Sequence, residues 1–164
     1  MIFLSVLGIA LIGAIGRFIL YFIMPIGLSA PFVGYILVVY LVFKSSFTKG
    51  VILCFLIGLI EDMFAHSPFG LSGIQLSVSY IFAISYVKFF NIERRVEMMF
   101  YGSTIAFVGF ITKLIIYIPI FKTNACLKID LYLNQLIVIF IVGVLTIPVY
   151  SSLYRSKEKT EYLK

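Results

Sequence analysis

Six apolar runs, divided by short polar breaks, occupy almost the whole of this 164-residue chain. They extend from about Ile2 to Met24, Ala30 to Phe43, Gly50 to Phe64, Leu71 to Phe90, Met98 to Phe121 and Leu131 to Tyr150. Soluble domains carry about 25% charged residues. Here 12% are charged and 62% hydrophobic, with a mean hydropathy of +1.14. So few charges do not cover so much apolar surface in water. The expected fold is therefore all-α: a polytopic integral membrane bundle of six transmembrane helices, forming one domain over residues 1–153. A basic cytoplasmic tail, 154–164, is expected to follow.

The second and third runs are short. Fourteen helical residues rise roughly 21 Å against a hydrocarbon core of about 30 Å. They form either two short spans, with Lys44 and Lys49 snorkelling, or a re-entrant pair; the first arrangement is preferred. The first run has no cation ahead of it, and Ser29-Ala30-Pro31 is a poor cleavage site, so it is expected to be retained rather than removed as a signal peptide.

Six spans put both termini on one side. With that side cytoplasmic, Lys44, Lys49, Lys88, Arg94, Arg95, Arg155, Lys157, Lys159 and Lys164 lie inside and only Lys122 and Lys128 outside. Arg17 and Lys113 fall within spans. Nine cations against two is the bias that positive-inside topology produces. The net charge of +6 thus sits in short loops and the tail, where it suits topology and anionic lipid and gives no reason to invoke nucleic acid.

Three runs carry small or polar residues at helical spacing: Ala10, Gly13, Ala14 and Arg17; Ser72, Gln75, Ser79 and Ala83; Gly102, Ala106, Gly109 and Lys113. Such faces allow membrane helices to approach closely and let hydroxyls bond across the interface.

The stretch from Gly58 to Gly73 stands apart. It holds the adjacent acids Glu61 and Asp62, the only histidine, His66, and Pro68. In the assigned topology the acids lie near the outer end of the third run, at the depth of Arg17 and Lys113. An unpaired charge at mid-bilayer costs about 2.5–3.5 kcal/mol on insertion scales. Three readings are open: charges solvated near the headgroups, an ion-pair cluster locking runs one, three and five, or a partner or ligand site. Ser67-Pro68-Phe69-Gly70 reads as a turn, and Ser72 as a candidate cap of the fourth helix. Glu61, Asp62 and His66 lack the further His or Cys that a catalytic or metal set needs. No Ser–His–Asp spacing, Walker loop or dinucleotide fingerprint occurs. Cys54 and Cys126 have no metal-ligand spacing. No enzyme, cofactor or metal is expected.

The stretch Gly58-Leu-Ile-Glu-Asp62-Met-Phe-Ala-His-Ser-Pro68-Phe69-Gly70-Leu71 resembles the central signature of the MreD family of rod shape-determining membrane proteins, a Gly-Leu-x-x-Asp helix end followed by a short loop with a late Gly and Leu. The resemblance covers about 15 residues in motif and the whole chain in hydropathy. It implies a non-enzymatic scaffold in the bacterial inner membrane. The implied partners are MreC, the RodA glycosyltransferase with its penicillin-binding transpeptidase, and the MreB filament, and the implied output is side-wall peptidoglycan synthesis and cell shape. Of the family pattern, Gly58, Asp62, Pro68 and Gly70 carry over, and Glu61, Arg17 and Lys113 join them as candidate bundle-locking or partner-binding residues. A second resemblance is weaker. Ala10-x-x-x-Ala14 is similar to the coupling motif of substrate-binding subunits in energy-coupling-factor vitamin transporters, which are also small six-span bundles. On that reading Arg17, Glu61, Asp62 and Lys113 would line a ligand pocket.

Overall fold

A computed structural model of the chain describes the backbone of residues 2–23, 32–64, 69–90, 92, 95–121 and 129–161. Side chains are described over 5–15, 33–64, 69–90, 92, 95–116 and 136–153. Pro68, His66, Cys126, the side chain of Arg17 and those of the basic tail lie outside the described residues.

Among the described residues all regular structure is helical: α1 (Ile2–Ile23), α2 (Phe32–Lys44), α3 (Phe47–Phe64), α4 (Leu71–Phe89), α5 (Arg95–Phe121) and α6 (Ile129–Glu161). Six helices match six apolar runs in number. Two of them, over Arg95–Ile116 and Leu136–Leu153, are long and apolar enough to cross a bilayer, and Ser5–Ile15 and Val33–Lys44 form shorter apolar stretches. α3 carries Lys49, Glu61 and Asp62 within 18 residues. Ser72, Gln75, Ser77, Ser79 and Ser85 dilute the hydropathy of α4.

The last helix departs from expectation. It passes Pro148 and continues through the start of the tail to Glu161 rather than ending at Tyr150. A proline forfeits its own N–H bond and crowds the preceding turn. Downstream, Arg155, Lys157, Glu158 and Lys159 are good helix formers, so the helix resumes.

α2 is the hub, packing against all five other helices. Around it runs the succession α1–α3–α4–α5–α6, each packed on the next. The sequence of α2 is compatible with this place. From Val33 to Phe43 it has no charge, and no side chain in that span is exposed. A helix that is apolar all round belongs in the middle of a bundle. Tyr35, Leu37, Val38, Val39 and Leu41 are buried in the core with Ile57, Leu76, Tyr80, Ile105 and Val142.

Small residues set the helix crossings, as the three faces predicted. Ala10 and Ala14 are buried on α1, and Gly13 abuts Val33. Gly102 abuts Thr146 and Gly143 on α6. Hydroxyls bridge neighbours: Ser79 Oγ donates to the Ile105 carbonyl at 3.3 Å and Tyr101 Oη to that of Ala83 at 3.3 Å. Toward the end of the bundle where α2 turns into α3, edge-to-face aromatics tie α2, α6 and α5 together. Phe43 and Tyr150 centroids lie 4.9 Å apart, and those of Tyr150 and Tyr101 5.9 Å apart.

Candidate functional site at the acidic end of the bundle

α3 finishes where α2 and α4 begin, and the two acids sit in its last turn. First-turn N–H groups of a helix have no partner within that helix. Glu61 supplies an acceptor to α2: its Oε1 takes the N–H of Gly34 at 3.0 Å. Asp62 does the same for α4: its Oδ2 takes the N–H of Ser72 at 3.0 Å. Successive residues on a helix point about 100° apart, which is how two adjacent acids reach two different helices. Each carboxyl also lies at the end of a helix dipole that favours negative charge.

Both acids are buried, Glu61 to 2% exposure and Asp62 to 4%. The reading in which they are solvated at the surface is therefore corrected. They are tucked inside because the donors they serve lie inside, at the junction of three packed helices. Ser72 is corrected as well. It does not cap α4 with its side chain but contributes its backbone N–H as a donor. The N-cap position belongs to Gly70, whose φ of 91° and ψ of −11° are left-handed, and which has no side chain to offer. Asp62 fills that gap from a neighbouring helix.

An alanine at Gly70 is expected to lower stability by roughly 1–2 kcal/mol, the cost of an L-residue in the left-handed region. Nothing lies within 4 Å of where its Cβ would be, so the effect is conformational and not steric. Asparagine, which tolerates that region, should recover part of the loss. Thermal unfolding in detergent followed by circular dichroism measures both, and an unchanged alanine midpoint would remove the conformational argument.

Gly58 lies one turn before the acids. A Cβ there would fall under 3.0 Å from the backbone of Ser72 and Gly73. Gly58 thus lets α3 and α4 touch backbone to backbone, at the level that sets Asp62 opposite the start of α4.

Behind the acids the interior stays polar. The Gln75 side-chain amide and the Tyr35 hydroxyl are hydrogen-bonded between α4 and α2. Tyr35 Oη and Ser79 Oγ both lie where a Cβ on Gly109 would be, so that glycine makes room for them. Gln75, Tyr35 and Ser79 are all buried. Lys113, one turn along α5 from Gly109, is half-buried. The structure thus brings Gly58, Glu61, Asp62 and Gly70 together at the α3–α4 junction. Lys113 belongs to the neighbouring α5 face, while Pro68 and the Arg17 side chain lie outside the described residues.

Gly34 and Tyr35 were not singled out from sequence. The one available signal was a glycine in the first turn of a run otherwise made mostly of large apolar side chains. It gained meaning only once Glu61 was found facing it. A Cβ on Gly34 would approach Leu76 and Glu61 Oε1 to under 3.0 Å.

The chemistry of the site is that of a lock. Its carboxyls accept from backbone donors, and among the described residues no three His, Cys, Asp or Glu side chains cluster as a metal would require. On either side of the 65–68 connection, Met63 and Phe69 are exposed, to 70% and 71%. Comparison with family models, with curated proteins and with solved structures finds no match for this chain.

Proposed function

We propose that the chain is an integral membrane helical bundle, crossing the bilayer six times with both termini cytoplasmic, and that its role is to hold other proteins rather than to transform a substrate. Support for membrane residence comes from the outer surface. Ile9, Ile12, Ile15, Phe100, Phe107, Ile111, Ile115, Leu136, Ile137 and Phe140 are large, apolar and exposed on α1, α5 and α6. A soluble monomer rarely shows patches of that extent.

Within that class, the particular reading is a scaffold of the rod complex resembling MreD. It would partner MreC and act beside RodA, its penicillin-binding transpeptidase and the MreB filament in side-wall peptidoglycan synthesis. The observation that carries this is the use of the signature stretch. Gly58, Glu61 and Asp62 join α3 to α2 and α4, so the motif builds a rigid junction and leaves Met63 and Phe69 as an exposed apolar lip for a partner. The transporter reading is disfavoured by Ala10 and Ala14, which face the bundle interior and are not free to couple to another subunit.

Depletion in a rod-shaped bacterial host tests the proposal. The expected result is rounding of the cells, with micronutrient uptake unchanged and MreC lost from pull-downs when Met63 and Phe69 are both replaced by serine. Unchanged shape together with lost uptake would overturn it in favour of the transporter subunit.

A further inference from the structure

The end of the bundle opposite Glu61 and Asp62 is basic. Lys44 closes α2, Lys49 stands in the first turn of α3, Lys88 in the last turn of α4, and Arg95 opens α5. These positions share one end because Tyr80, two turns before Lys88, packs on Gly50, and its hydroxyl lies 3.1 Å from Ser45 Oγ in the α2–α3 turn. All four cations are exposed. No hydrogen bond or ion pair joins any of these four side chains to another described side chain. The described acid nearest in the chain, Glu97, is half-buried.

Apolar side chains alternate with these charges. Phe47 lies between Lys44 and Lys49, Phe89 and Phe90 follow Lys88, and Val96 follows Arg95; all four are exposed, Phe89 to 84%. Cations needing counter-charge beside large apolar groups needing cover match the layered chemistry of a bilayer surface, where phosphates lie just above the acyl boundary. Inorganic phosphate would satisfy the cations and leave the phenylalanines in water.

We infer that this end is a docking surface for anionic lipid headgroups, with Lys44, Lys49, Lys88 and Arg95 on the phosphates and Phe47, Phe89, Phe90 and Val96 seated at the acyl boundary. The inference rests on the membrane reading and adds the lipid class and the residues that select it. Anionic leaflets attract each nearby cation with an energy equivalent to about fivefold in affinity.

The test is native mass spectrometry of the full chain in neutral detergent, supplied with equal phosphatidylglycerol and phosphatidylcholine. Preferential retention of phosphatidylglycerol is expected. That preference should fall by about fivefold in K49Q or K88Q alone and vanish in the fourfold variant K44Q/K49Q/K88Q/R95Q. K122Q/K128Q, altered in a different connection, should keep it. The single variants keep the test decisive if the fourfold variant loses helix content by circular dichroism. Equal retention of the two lipids, a preference that survives in both single variants, or one abolished by inorganic phosphate at matched charge overturns the inference. A chain that stays dissolved without detergent overturns the membrane reading itself, a distinguishable failure.

Discussion

Replacing Gly58 by alanine is expected to destabilise the bundle by roughly 3 kcal/mol or more, the upper end of what overpacking costs. The added methyl meets backbone atoms of Ser72 and Gly73, not the tip of a side chain that can swing away. The only relief is to separate α3 from α4. Separation also draws Asp62 away from the Ser72 N–H, so a packing change becomes a loss of capping. Thermal unfolding of the purified chain in detergent gives the magnitude. A second signature distinguishes the mechanism: after Gly58→Ala, a further Asp62→Ala change should cost little, because the bond is already stretched. Full additivity of the two changes would show that the crossing and the cap are independent.

Glu61→Ala is the second large effect, expected at roughly 2–3 kcal/mol, the range for a hydrogen bond to a charged group whose buried partner is left unmet. The N–H left without its acceptor belongs to Gly34, in the first turn of the helix that all the others pack against. Glu61→Gln keeps an acceptor oxygen in place and gives up only the charge at the helix end, so it should retain most of the stability. Equal losses in the two variants would mean that the charge, not the bond to Gly34, matters. Since Glu61 serves α2 and Asp62 serves α4, the double variant Glu61→Ala/Asp62→Ala should approach the sum of the single effects.

The six helices were legible in the chain because hydropathy and length report burial without reference to neighbours. The small faces were legible for a similar reason, since Gly102, Ala106 and Gly109 lie on one side of any helix that contains them. Within the acidic stretch, Asp62 was marked as a charge in an apolar run, while Gly58 and Gly70 were marked by the stretch's resemblance to the MreD signature. The sixth apolar run ends near Tyr150 while α6 continues to Glu161, because hydropathy marks where apolar character stops and the helix-forming tail beyond it sustains the turn. Ser72 was misjudged because a serine near a helix start ordinarily caps with its own side chain, and here an acid from another helix already occupies the place.

The chain alone dictates that there are six apolar helices and that two acids sit near the end of the third. Which helix stands in the middle is a different kind of fact. Apart from Arg17 in α1 and the terminal Lys44 of α2, both helices are strongly apolar, and hydropathy does not rank them. The centre goes to α2 because its side chains find matching recesses: Val33 against Gly13, Tyr35 against Gly109. Likewise an acid pair announces that donors are needed but not which ones. Only the packing of three helix ends at one point assigns Gly34 to Glu61 and Ser72 to Asp62, because a hydrogen bond is decided by ångströms in space and not by distance along the chain.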